Sequence, residues 1–169
     1  IGAYLFPILL SPILTRIYSP QEFTSFTVYM TVVQIVSIIS TLKYELAIPL
    51  VSDYKERRTL FRISIINMMI ISVFTFAILS LFIMITDDSL FNDIKSMRYF
   101  IPIGIVLTSL FNHIFYNWLL YKKNFRNISI SKIMYGLMYA SLPIAIFILG
   151  DFKGFEYLII SHQIALLFA

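Results

Sequence analysis

The sequence predicts an all-α, polytopic membrane protein with about six transmembrane helices, and three observations predict it. The chain is 59% hydrophobic and only 13% charged, where soluble domains are roughly half apolar and about one quarter charged. Its charges cluster and leave long apolar runs, and about 20 such residues cross the roughly 30 Å of hydrocarbon at a helical rise near 1.5 Å. These runs are apolar all round, whereas strands of a membrane barrel alternate apolar and polar in pieces of about 10 residues. Too few polar residues remain to cover a soluble core.

The first span is expected over about residues 1–18 and carries Pro7 and Pro12, which membrane helices tolerate where neighbours satisfy the freed carbonyls. The second, over about 23–50, holds Lys43 and Glu45 inside an otherwise apolar stretch. A basic loop follows with Lys55, Arg57 and Arg58, and Arg62 begins the next helix. The third span, about 60–86, is free of charge from residue 63 onward and ends in an acidic turn with Asp87, Asp88 and Asp93. The fourth, about 99–121, runs into a second basic loop of Lys122, Lys123 and Arg126. The fifth covers about 128–149 with Lys132 one turn in, and after a short turn between Gly150 and Gly154 the sixth occupies about 155–169. With no initiator Met or leader at Ile1 and an apolar run at Ala169, the chain reads as a piece of a longer protein.

The net charge of +4 is not the footprint of a nucleic-acid binder, because the basic residues sit mainly in two short loops, as topology signals do. Those loops hold Lys55, Arg57, Arg58, Arg62, Lys122, Lys123, Arg126 and Lys132, against Arg16, Lys95, Arg98 and Lys153 on the other side. The positive-inside rule then puts both basic loops, 52–62 and 122–132, and the N-terminal side of the first span in the cytoplasm. Tyr18, Tyr99, Trp118, Tyr121 and Tyr157 lie near span ends, where aromatic anchors belong.

Lipid-facing surface is apolar, so polar residues repeating at helical spacing mark a buried or wetted face. Along the second span Thr27, Thr31, Gln34, Ser37, Thr41 and Glu45 follow steps of three and four. On a continuous helix Lys43 points about 200° away from Glu45, so the two do not pair. Lys43 lies roughly 13 Å in from Ser52 at helical rise, in the inner third of the bilayer, which makes the pair a charged cytoplasmic entrance to a cavity. The bland alternative is a snorkelling Lys43 and a Glu45 paired to a loop arginine. The fourth span carries Ser109, Asn112, His113, Tyr116 and Asn117 at similar spacing, which fits either a sugar path or simple helix-to-helix hydrogen bonding. Gln34, Lys43, Glu45, Ser109, Asn112, His113 and Asn117 are the candidates for a substrate cavity and its coupling group. Lys132 with Tyr135 and Tyr139, Asn67, and His162 beside Gln163 read as interfacial or structural.

The chain has no cysteine, which excludes a disulfide framework, a Cys-ligated zinc site and a thiol nucleophile within it. It holds no His-Glu-x-x-His, Gly-x-Ser-x-Gly or glycine-rich phosphate loop. No catalytic residue, metal or cofactor is expected, and Asp87 and Asp88 read as a solvated turn.

Three patches together resemble the bacterial polysaccharide and oligosaccharide (O-antigen-type) flippases of the multidrug, oligosaccharidyl-lipid and polysaccharide exporter superfamily. They are Pro-Ile-Leu-Thr-Arg-Ile-Tyr-Ser-Pro-Gln-Glu-Phe at 12–23, Thr-Leu-Lys-Tyr-Glu-Leu-Ala-Ile at 41–48, and the basic loop from Trp118 to Lys132. The chain departs from the family pattern at Thr24, where glycine is usual, and at Lys43, where arginine is usual and would offer a bidentate fork to phosphate. The resemblance implies the N-terminal lobe of a two-lobe transporter in the bacterial cytoplasmic (inner) membrane, with lobes that rock around a central cavity. It implies a polyprenyl-pyrophosphate-linked oligosaccharide as substrate, H+ or Na+ as coupling ion, and polysaccharide polymerase or assembly machinery as partner. With the basic residues confined mainly to two short loops, no nucleic-acid partner is expected. Three other readings stay open: a small-molecule (drug) antiporter of the same superfamily, a membrane-embedded glycan polymerase or acyltransferase, and a non-transporting assembly protein.

Overall fold

The computed structural model describes residues 2–85, 92–150 and 154–168. The acidic turn of Asp87 and Asp88, the side chain of Asp93, and Lys153 lie outside the described residues. Every regular element among the described residues is helical: α1 (Gly2–Ile17), α2 (Pro20–Ser40), a 3₁₀ turn (Tyr44–Ala47), α3 (Tyr54–Ile85), α4 (Asn92–Thr108), a π-helical segment (Ser109–Phe115), α5 (Tyr116–Tyr121), α6 (Phe125–Gly150) and α7 (Phe155–Leu167). Four stretches are long and apolar enough to cross a bilayer, Pro20–Ser40, Tyr54–Ile85, Lys95–Tyr121 and Phe125–Gly150, with shorter apolar helices at Phe6–Ile17 and Phe155–Leu167. This is a membrane protein of the helical class.

The start of α2 follows from four residues, Ser19-Pro20-Gln21-Glu22. The Glu22 carboxylate accepts from the Ser19 amide at 2.6 Å and from the Ser19 hydroxyl at 2.9 Å, while the Glu22 amide donates back to that hydroxyl at 3.3 Å. This capping box satisfies orphan donors at the helix start, and Pro20 occupies the first turn where its missing N–H is harmless.

The chain divides into two compact units, one of residues 1–30 with 126–169 and one of residues 31–125. The first unit gathers aromatic rings around His162, which is only 2% exposed. Phe26, Tyr29, Tyr135 and Tyr139 stand 6.0 to 6.3 Å from its ring, all edge-on. Tyr18 donates to the Pro143 carbonyl at 3.2 Å, and the Gln163 amide donates to the Tyr29 hydroxyl at 3.2 Å. The His162–Gln163 pair thus lies in the packed aromatic interior of this unit, with His162 Nδ1 buried and without a hydrogen-bond partner.

In the second unit α3 packs along α4. Its buried face carries Ser64, Met68 and Ser72 at four-residue steps, and α4 buries Met97, Ile101 and Ile105. Small hydroxylated residues let membrane helices approach closely, and Ser72 donates to the Pro102 carbonyl at 3.0 Å.

The second span departs from expectation. One helix is predicted over 23–50, yet α2 ends at Ser40. Leu42 and Lys43 then adopt left-handed backbone angles, φ 50° and 61°, and the chain continues as a 3₁₀ turn. Two causes are visible. Pro49 has no N–H to donate and its ring would crowd the Glu45 carbonyl in an α-helix, which disfavours helix over the turn before it. Arg57, 4% exposed, supplies the missing donors: its Nε reaches the Ile48 carbonyl at 3.2 Å and an Nη reaches the carbonyls of Val51 and, at 3.4 Å, Ser52. Its guanidinium also lies 3.5 Å from the centre of the Tyr121 ring. The expected continuous helical stripe from Thr27 to Glu45, the 200° argument and the 13 Å depth of Lys43 at helical rise all assume that helix, and none of them holds beyond Ser40.

Arg57→Lys keeps the charge but loses the planar fork and the ring stacking. Thermal unfolding of the full-length protein in detergent is expected to show a loss of about 2 kcal/mol, the scale of hydrogen bonds to a charged group. A loss below roughly 0.5 kcal/mol, typical of surface substitutions, would remove Arg57 from the account of the break.

Candidate functional site

The candidate site belongs to the second unit and is built where two irregular stretches of backbone meet. One is the break after Ser40. The other is the π-helical segment Ser109–Phe115, inserted into a rod that is otherwise α-helical from Asn92 to Tyr121. Such bulges are uncommon and concentrate at functional positions. The last residue of α2 touches the first residue of the bulge: Ser40 Oγ and Ser109 Oγ are 2.6 Å apart. Ser40 already gives its proton to the Ser37 carbonyl at 2.8 Å, so Ser109 is the donor across the pair. The alternative acceptor for Ser109, the Ser37 carbonyl at 3.5 Å, is too far for a strong bond.

Around this joint the charged candidates take separate places. Lys43 is exposed and Glu45 is 1% exposed. The 3₁₀ turn that carries Glu45 packs on α3 and α5. Glu45 and the Ser40–Ser109 pair are thus buried in the same unit. Both carboxylate oxygens of Glu45 are buried without a hydrogen-bond partner, as are the hydroxyls of Thr41 and Thr108. Native structures leave few buried polar atoms unpaired, and each such atom calls for an explanation, of which a binding or catalytic role is one. Glu45 does not pair with Arg57, whose donors face main-chain carbonyls.

The remaining candidates divide by exposure. Gln34 and Asn112 are exposed and His113 is half-buried. Ser109 and Asn117 are buried, and the Asn117 amide donates to the His113 carbonyl at 2.8 Å, closing the end of the bulge. The expected single face of Ser109, Asn112, His113 and Asn117 presumes 3.6 residues per turn, and the π segment changes that phase. Sequence reasoning passed over Ser40 and Thr108. Ser40 lies three residues after Ser37, a helical neighbour that the stripe through Thr41 hid. Thr108 carries no signal of its own. Among the described residues no three of His, Cys, Asp or Glu gather as a metal ion would need.

A double-mutant cycle on Ser40→Ala and Ser109→Ala, read by unfolding in mixed micelles, is expected to give a coupling of about 0.6 kcal/mol and no more than about 1.7 kcal/mol. Strictly additive effects would mean that the two hydroxyls do not hold the joint.

The family model described as polysaccharide biosynthesis protein matches residues 1–168. No curated protein and no solved structure matches the chain significantly. A match over nearly every residue, on a chain of membrane-crossing helices, places this protein in the polysaccharide biosynthesis protein family.

Proposed function

We propose that the chain forms the N-terminal lobe of a flippase that moves polyprenyl-pyrophosphate-linked oligosaccharides from the cytoplasmic to the outer leaflet of the bacterial cytoplasmic membrane. It acts as a transporter and not as an enzyme, and it works by alternating access with a second lobe. The observation that carries the reading is the broken second span with its buried, unpartnered Glu45. Irregular backbone at membrane depth persists only where protein buries it or a water-filled cavity borders it. A charged, unrelieved carboxylate within a bilayer is costly, and such residues mark ion and substrate paths.

Within this reading Lys43, exposed on its left-handed turn, attracts the anionic headgroup from the cytoplasmic side. Glu45 is the coupling or gating carboxylate, and H+ or Na+ is the ion it answers to. Gln34, Asn112 and His113 offer amides and an imidazole to the sugar, while Ser109 and Asn117 hold the bulge in shape. The basic loops then face the cytoplasm, where the lipid-linked units arise.

Full-length protein carrying Glu45→Gln or Lys43→Ala, expressed at matched levels in a strain lacking its own copy, tests this. Surface polysaccharide is expected to fall roughly tenfold or more, within the approximately 5–150-fold range of typical coupling energies. Normal polysaccharide in both variants would overturn the cavity role.

A further inference from the structure

The basic end of α5 carries a second feature of the same unit. An open surface recess of about 780 Å³ lies there, lined by Tyr54, Trp118, Tyr121, Lys122, Lys123 and Asn124. Its size falls within the roughly 300–1,000 Å³ of small-molecule sites. Three aromatic rings, two ammonium groups and an amide converge on it.

The wall is fixed from behind. The Trp118 ring meets Phe61 edge-on at 5.2 Å and stands 6.1 Å from Tyr121. Tyr121 in turn lies under the guanidinium of Arg57, which the carbonyls of the broken span hold in place. Lys122 Nζ is 5.8 Å from the Trp118 ring centre.

The turn that presents the lysines is itself informative. The Asn124 amide donates to the Leu119 carbonyl at 3.1 Å and the Lys123 amide to the Leu120 carbonyl at 3.0 Å. This is the Schellman closure, with Lys123 at its left-handed position, φ 52°. Glycine suits that position best, because any β-carbon there is crowded. A topology signal needs only positive charge somewhere in the loop, and Lys122 and Arg126 already provide it. The side chain at 123 is held against the backbone preference, beside a second lysine and an aromatic wall.

We propose that this recess binds the phosphate headgroup of a membrane lipid, with Lys122 and Lys123 on the phosphate and the Trp118 and Tyr121 rings against the adjoining sugar or glycerol. Lysine serves phosphate as a mobile point charge, and aromatic rings offer flat apolar faces to the C–H surface of a sugar. Two sources share this chemistry: a lipid-linked sugar pyrophosphate, and the anionic phospholipids of the leaflet. Only the first source rests on the translocation reading.

Trp118 is the single tryptophan of these 169 residues and reports on its own site. Full-length protein is placed in nanodiscs of phosphatidylcholine alone, then given polyprenyl pyrophosphate, or prepared with phosphatidylglycerol added. A Trp118→Phe control isolates the Trp118 signal. A saturable change in Trp118 emission is expected. A change with polyprenyl pyrophosphate in neutral nanodiscs assigns the site to the substrate lipid, and a change only with phosphatidylglycerol assigns it to the leaflet; either supports the proposal. Lys122→Ala and Lys123→Gly are each expected to weaken binding roughly five- to tenfold, as the loss of a charge-assisted contact does. Lys123→Gly should do so with an unchanged or higher Tm, since it relieves the left-handed position. Wild-type binding by Lys123→Gly, or an unresponsive Trp118 with both lipids, overturns the proposal. Loss of binding with surface polysaccharide intact would leave the translocation reading standing, and the failure of Glu45→Gln to affect export would leave this site standing.

Discussion

A backbone amide or carbonyl inside a bilayer has no water to turn to, so each must find its partner within the protein. In the second unit the chain gives up regular α-helical pairing twice, after Ser40 and again from Ser109 to Phe115. What replaces it determines the local structure. The Ser109 hydroxyl donates to Ser40, Ser40 donates to the Ser37 carbonyl, Asn117 takes the His113 carbonyl, and Arg57 takes the carbonyls that end the broken span. These side-chain bonds brace the two irregular stretches that place Glu45 and Lys43.

The energies show that the break is not there for stability. An intramembrane hydrogen bond contributes about 0.6 kcal/mol on average, so the serine joint selects a conformation more than it strengthens the fold. The charge-assisted bonds of Arg57 are the larger support, at about 1.5–3 kcal/mol each. Against them stand two left-handed non-glycine residues at roughly 1–2 kcal/mol each and a buried carboxylate with no partner. Strain of this kind persists where the surrounding structure over-determines it, and it clusters at binding sites and switches. Arg57 also reaches outward, since its other face fixes Tyr121 in the aromatic wall beside Lys122. One buried arginine thereby ties the interior joint to the basic end of the same unit.

The helical membrane class was legible because it rests on length and composition, which survive any local irregularity. The chain reads as apolar runs separated by Arg and Lys, and the structure has helices over those runs. The start of α2 was legible in principle from Ser19 and Glu22, whose spacing carries its own mechanism. The break was not. Residues 36–48 hold neither glycine nor proline, and the one local breaker, Pro49, lies just past their end. The decisive donors come from Arg57, on the following helix, which in sequence looks like any other charge in a basic loop. The π segment has no signature at all. It holds neither glycine nor proline, and the stripe of Ser109, Asn112, His113 and Asn117 was drawn on a 3.6-residue wheel that does not apply there. Ser109 and Asn117 are buried with hydrogen bonds inside the unit, while Asn112 stands exposed.

The central claim is that the exposed side of the π segment meets water at membrane depth and the exposed side of α3 meets lipid. In a background without other cysteines, Asn112→Cys and Ile70→Cys present thiols from these two exposed surfaces, and a membrane-impermeant maleimide applied to intact and to inverted vesicles compares them directly. The account predicts that the thiol at 112 reacts from at least one side, at a rate at least roughly tenfold above the thiol at 70, because only a hydrated cavity admits the reagent and ionises the thiol. Equal inertness at both positions would contradict it, and would make the bulge a lipid-facing irregularity and not the wall of a transport path.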